Sequence, residues 1–254
     1  MIRYKSKDEI RTIRRAAKIV HDALLKVEEY VRPGVTLKEL DTIAEDYILS
    51  QGAIPGFKGL YDFPATLCLS PNDMVVHGIP DDTVLKEGDI IGVDCGAIVD
   101  GYYGDHAKTF KVGKVSEETQ KLLDVTKESL YRGIGQCIPG NHLNDIGHAI
   151  QSFCESHGYG VVRELVGHGI GQQLHEDPQV PNYGLAGTGV ELKEGMCLAI
   201  EPMINAGVKE IYTGKDGWAI MTRDGKYSAH FEHTIAITAN GPVVLSTAEE
   251  TVFD

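Results

Sequence analysis

The chain repeats itself, and that repeat restricts the fold to two matched halves. LKEGDIIGVD at 85–94 returns as LKEGMCLAIE at 192–201, the same Leu-Lys-Glu-Gly followed by an apolar run that closes on a carboxylate. Upstream, RPGVTLKELDTIAEDYILSQG at 32–52 returns as IPGNHLNDIGHAIQSFCESHG at 138–158. The displacements are 107 residues (85 to 192) and 106 residues (32 to 138), so one duplication accounts for both echoes. Apolar residues recur at helical spacing in each copy: Leu37, Leu40, Ala44 and Tyr47 in the first, Leu143, Ile146, Ile150 and Phe153 in the second. Another helical stretch precedes each Pro-Gly, over 13–31 and 117–138. Strand-like segments carry turn signals such as Asp100-Gly101, Asp224-Gly225 and Asn240-Gly241. The expected fold is α+β: two αβ halves, roughly 1–113 and 114–254, related by a pseudo-twofold axis. Antiparallel sheets lie inside, helices outside, and the halves form one domain over 1–254.

Bulk properties exclude several classes. No apolar run approaches the ~20 residues of a membrane helix. The N-terminal MIRYKSKDEIRTIRR lacks the apolar core of a signal peptide, so a cytoplasmic location and no membrane partner are expected. The five cysteines (Cys68, Cys95, Cys137, Cys154 and Cys197) are odd in number and form no CxxC pair, against a disulfide framework or a cysteine zinc site. A net charge of −13 argues against a nucleic-acid partner and suits a chain that places carboxylates around a cation.

Those carboxylates have definite places. With Asp100-Gly101 as a two-residue hairpin turn, residue 99 faces 102 and Gly96 faces Asp105. Asp94 and Asp105 then share one face as diagonal neighbours, ~7–8 Å apart at the backbone. Like charges so placed repel unless a cation lies between them. The duplication makes Glu201 the equivalent of Asp94, and Glu232 lies in SAHFEHTIAIT (228–238), which reads as one strand. LVGHGIGQQLHEDP (165–178) adds His168 and His175, its glycines pointing to an extended loop where backbone approaches a ligand. An isolated strand aspartate is more often a hairpin-edge or salt-bridge residue; the set is what matters. Four carboxylates with one imidazole suit two divalent first-row ions, manganese, iron or cobalt, better than structural zinc. Paired ions bridge a water, lower its pKa and polarise a carbonyl, which indicates metal-assisted hydrolysis.

VVHGIP (75–80), IIGVDCGAIVDGYYGDH (90–106), VGHGIGQQLHEDPQV (166–180), IEPMINAG (200–207), KDGWAI (215–220) and SAHFEHT (228–234) occur in one order over almost the whole chain. In this the sequence resembles the type I methionine aminopeptidases of bacteria. The resemblance implies the duplicated "pita-bread" fold, removal of the initiator methionine, and peptides with N-terminal methionine as substrates. Matched by position, Asp94 and Asp105 would hold one ion and His168 and Glu201 the other, with Asp105 and Glu232 bridging. Glu201 would also act as general base or proton shuttle. His175 would stabilise the developing oxyanion, and His77 would hydrogen-bond the substrate. The pocket for the first residue would comprise Phe57, Leu60, Phe63, Cys68, Leu174, Met203 and Trp218, an apolar and polarizable lining suited to a thioether. A monomer with transient ribosome contact is expected.

Several positions depart from the commoner family pattern: Tyr61 for His, Leu174 for Phe, His106 for Thr or Ser, His230 for Gln and Phe231 for Tyr. None removes a ligand, so they bear on the pocket's shape. A proline-directed pita-bread peptidase and a non-catalytic peptide-binding module of the same fold are the competing readings. The first usually carries an extra N-terminal domain, and the second loses ligands that are all present here.

Overall fold

The computed structural model describes residues 1–249; the last five positions of the expected second half, 250–254, lie outside the described residues. Among the described residues, four α-helices, one short 3-10 turn at Leu60–Asp62 and a set of antiparallel strands make up the fold. Helix α1 spans Lys7–Glu28 and α2 spans Leu37–Ser50. Helix α1 starts well before the expected 13, because Ser6 and Glu9 form a capping box in which Glu9 bonds the Ser6 N–H and the Ser6 hydroxyl accepts from Glu9 N. Thr36 and Glu39 cap α2 in the same way. In the second half α3 covers Glu117–Ile134 and α4 covers Leu143–Ser156.

The duplication is visible bond by bond. An isolated bridge joins Thr36 to Val84, and its counterpart joins His142 to Glu191. Gly34 N donates to Leu85 O at 2.8 Å, and Gly140 N donates to Leu192 O at 2.9 Å. These are the Pro-Gly and Leu-Lys-Glu-Gly segments of the repeat, so each copy closes on itself through the same contact.

In the first half, strand Ile90–Val99 is central. It pairs antiparallel with Leu67–Pro71, with Ile54–Pro55 and with Tyr102–Lys111. The Asp100-Gly101 turn, with φ of 50° and 79°, gives the register Val99 to Tyr102 and Gly96 to Asp105, as the turn chemistry requires. The second half has a five-stranded antiparallel sheet in the order Gly241–Val244, His233–Thr238, Cys197–Ile200, Gly167–Gly169, Glu176–Val180.

Each half has its own core. Leu24, Leu40, Ile48, Leu67 and Ile91 fill the first; Leu122, Leu130, Ile146, Leu198 and Ile235 fill the second. A third cluster spans both, joining Ile13, Phe57 and Phe63 to Ile170, Leu174 and Cys197. Fully burying such side chains stabilises by ~1.5–3 kcal/mol each, so this shared cluster helps hold the halves together. No helix among the described residues is long and apolar enough to cross a membrane.

Two expectations are corrected. The segment 228–238 is two strands, Ser228–His230 and His233–Thr238, interrupted at Phe231 and Glu232. At the break Glu232 N donates to Ala107 O of the first half, 2.9 Å away, so its backbone leaves its own sheet. The partner strand breaks at the same level, where Pro202 has no N–H to give after Glu201. The segment 165–178 is a hairpin rather than a loop, with His168 in a strand and His175 in the connection. Its glycines serve sheet packing: a Cβ on Gly167 would lie 2.3 Å from Ala199 O, and one on Gly169 2.2 Å from Asp177 O.

Candidate active site

Asp94 and Asp105 project from the first hairpin on one face, since Asp94 faces Ala107 and Asp105 faces Gly96 two positions on. From the second half, His233 pairs with Ile200 and His230 with Met203 in one register, which sets Glu232 opposite Glu201 across the double break. His168 pairs with Ala199 on the adjacent strand. Its Nε2 stands 3.4 Å from Glu201 Oε1 and 3.7 Å from Asp105 Oδ2. Five expected donors, two from one half and three from the other, therefore line a single cavity.

The same cavity, of about 140 Å³, is lined by His77, His175, Phe57, Leu60, Phe63, Cys68, Leu174 and Trp218. It is smaller than the ~300–1,000 Å³ of sites for drug-sized ligands, a size for one side chain and its flanking peptide. Trp218 meets Phe63 edge-on at 5.1 Å. Burial, then the Asp94 and Asp105 charges, push the Cys68 thiol well up, so it lines the wall as a neutral, soft group. His77 bends inward from a left-handed backbone conformation, φ 63°, an uncommon state for a non-glycine residue. Met203 is not part of the lining: it fills a small core with Val75, Val76 and Val162.

The donor set fits a cation. Asp94 Oδ1, Asp105 Oδ1 and Glu232 Oε1 are sealed from solvent with no hydrogen-bond partner, an expensive condition for a carboxylate. No lining residue is a lysine or arginine. Burial pushes Asp94 up to about 7 and Glu201 up to about 8. Asp105 and Glu232 are pushed well up, by burial first and by the neighbouring carboxylates second. His168 is in ligand form. Its Nδ1 lies 3.0 Å from the Gly169 carbonyl, which only accepts, so Nδ1 holds the proton and Nε2 presents a lone pair. Burial brings His168 down to about 4, leaving it neutral at pH 7. Asp105, His168 and Glu232 each already place a ligand atom within 4.8 Å of the others. Oxygen-rich donors with one imidazole suit a divalent cation.

Sequence reasoning underrated three residues that were visible only as departures from the family pattern. Tyr61 lines the cavity, its ring parallel to that of His175. His230 is buried with Nε2 3.7 Å from Glu201 Oε2. His106 hydrogen-bonds through Nδ1 to the Glu232 carbonyl and stacks on His233 at 4.5 Å, packing the far side of the Glu232 segment.

A duplicated αβ fold whose halves converge on buried carboxylates and a lone-pair imidazole defines a metallohydrolase. Comparison with known proteins names it more closely. The profile of metallopeptidase family M24 matches residues 11–239, and the chain belongs to that family. It is 52% identical to a methionine aminopeptidase of Clostridium acetobutylicum over 250 residues, 98% of this chain and 100% of that one. The structure superposes on that of a Thermotoga maritima methionine aminopeptidase with a TM-score of 0.96 at 45% identity, covering 97% of this chain and 99% of the other. A Pyrococcus furiosus prolidase shares the pita-bread fold more distantly, with a TM-score of 0.79 at 25% identity over 97% of this chain and 66% of its own.

Proposed function

We propose that this chain is a metal-dependent methionyl aminopeptidase that removes the N-terminal methionine from new proteins and peptides. One observation carries the reading: five metal-type donors from both halves, three of them carboxylates with a buried oxygen that has no hydrogen-bond partner, face the same small cavity as an apolar, aromatic pocket. High identity to methionine aminopeptidases over nearly the whole chain supports it.

Asp94, Asp105, His168, Glu201 and Glu232 would hold two divalent ions. When bound, such ions acidify a water and polarise the scissile carbonyl. The chain's own groups do the rest. Glu201 takes a proton from the attacking water and delivers it to the leaving amine. His175, at the mouth of the cavity, donates to the developing oxyanion, and His77 holds the substrate. Phe57, Leu60, Phe63, Cys68, Leu174 and Trp218 receive the methionine side chain and exclude water around it. The two halves act as one catalytic unit, since neither supplies a full donor set alone. Action on new chains supports a cytoplasmic location and transient ribosome contact as part of this proposal, with the enzyme proposed to work as a monomer.

The test is hydrolysis of Met-Ala-Ser by metal-stripped protein with and without manganese or iron, beside Ala-Pro-Ala. Metal-dependent release of methionine alone is expected. Cleavage of the proline peptide instead moves the protein to the prolidase branch, and no release from either supports a binding module.

A further inference from the structure

A buried ion pair lies outside the cavity and next to one of its residues along the chain. Lys5 Nζ donates to Glu176 Oε2 at 2.7 Å, with the two side chains only 4% and 6% exposed. Glu176 directly follows His175. Its other oxygen, Oε1, accepts from Gln173 N at 3.3 Å, so the carboxylate closes a ring around Leu174 and His175. Lys5 is itself fixed: its backbone N donates to Gly195 O at 2.7 Å, and its ammonium also donates to Arg3 O at 3.2 Å. Arg3 reaches the same connection, donating to Gln172 Oε1 at 3.4 Å. The segment 3–5 therefore straps down the turn that carries His175.

Little else holds that imidazole. Its ring is in no hydrogen bond among the described residues; its neighbours are the His168 ring, edge-on at 4.5 Å, and the Tyr61 ring, parallel at 6.0 Å. The β ladder slips between His168 and Gly169, so strand register alone does not fix the connection. On its near side Tyr103 N donates to Gly171 O at 2.8 Å, and on its far side the Lys5–Glu176 pair takes over. The turn packs directly on the pair: a Cβ on Gly171 would lie 2.6 Å from Glu176 Oε1 and 2.7 Å from Lys5 Cε. Stability does not account for two charges here. Desolvation costs several kcal/mol per ion, and apolar groups of similar volume often replace a buried pair without loss. What a buried pair supplies is one fixed distance and direction, which apolar side chains lack.

We infer that Lys5 and Glu176 are positioning residues for the reaction: the pair holds the turn 171–176 so that the His175 ring stays beside the donor cluster. The inference rests on the aminopeptidase reading and on the oxyanion role of His175. A misplacement of about 1 Å at such a group costs up to about 10²-fold in rate. Neither Lys5 nor Glu176 lines the cavity that holds the donors. Loss of the pair therefore acts on kcat, through His175, and leaves substrate and metal binding close to wild type.

The test measures kcat and KM for Met-Ala-Ser with manganese-loaded wild type, Lys5→Met with Glu176→Met, His175→Ala, and all three changes combined. Changing both partners together leaves no unpaired ion in the interior. The paired change should lower kcat by about tenfold or more with KM within about threefold, yet cost less than about twofold once His175 is already alanine. Cobalt affinity should stay within about threefold of wild type. If the methionine pair fails to fold, Lys5→Met with Glu176→Gln enters the same cycle; it keeps an oxygen to accept from Gln173 N, and a loss of about threefold or more is expected. Wild-type kcat in the paired variant, or the same fold-loss with and without the His175 imidazole, overturns the inference. Wild type that releases no methionine overturns the aminopeptidase reading itself, and His175→Ala with wild-type turnover overturns the oxyanion role; the positioning falls with either.

Discussion

The Thr234 hydroxyl stands in for a peptide group between the two halves: it donates to the Asp105 carbonyl at 2.7 Å and accepts from the Asp105 N–H at 3.1 Å. Thr109 does the same for His230, donating to its carbonyl at 2.8 Å and accepting from its N–H at 2.9 Å. Between them Glu232 N bonds Ala107 O directly. This seam fixes the spacing of Asp105 and Glu232, one from each half.

Thr234→Val keeps the shape and removes both bonds, leaving two buried backbone groups unpaired. A loss of about 1–3 kcal/mol is expected, read from urea denaturation of the metal-free protein. Thr234→Ser should retain most of the stability. A valine variant as stable as wild type would show that the seam does not carry the join.

Asp105→Ala should abolish methionine release while leaving the fold intact, because it removes a proposed bridging ligand. It also relieves repulsion among Asp94, Glu201 and Glu232, so the metal-free variant should melt at or above metal-free wild type at pH 8. Wild-type activity in this variant would remove Asp105 from the site.

Metal-free stability should depend on pH with a definite sign. Unfolded, the four carboxylates lose their protons near pH 4, whereas burial holds Asp94 up to about 7 and Glu201 up to about 8, with Asp105 and Glu232 raised in the same direction. Through these four groups the folded state binds more protons across that window, and their contribution to stability falls as pH rises. It is fully present below about pH 4 and lost as pH climbs through 7 to 8. The buried histidines, with His77 and His168 brought down to about 4 and His233 to about 3, push the other way below about pH 6.5, so thermal melts from pH 7 to 8.5 should show a decline without metal that saturating manganese removes. A metal-free Tm that rises over this range would contradict the electrostatics.

His175→Ala should still bind metal while turnover falls by roughly 10²–10³-fold, the cost of losing one oxyanion donor. Calorimetric titration with cobalt separates the roles: lost binding would make His175 a ligand.

How far the sequence could be read follows the range of each interaction. Gly96 facing Asp105 was legible because an Asp-Gly turn sets register over a few residues, and Asp94 with Glu201 because the repeat equates them. The break at Glu232 was not legible, since its N–H bonds a carbonyl of the other half and Phe231 and Ile235 keep the look of a continuous strand. The Thr109 and Thr234 bonds leave no periodic trace for the same reason. Met203 went to the pocket by resemblance and lies in the core beneath it. Tyr61 was visible only as an unusual residue; its left-handed backbone is imposed by anchors on either side.

The most direct test of the account is electron paramagnetic resonance of metal-stripped protein titrated with manganese. If carboxylates from both halves bridge one paired centre, two ions bind per chain with a spin-coupled signal, and Asp105→Ala and Glu232→Ala, one from each half, both abolish the coupling. Uncoupled manganese in wild type, or coupling that survives both substitutions, would contradict a centre built across the two halves.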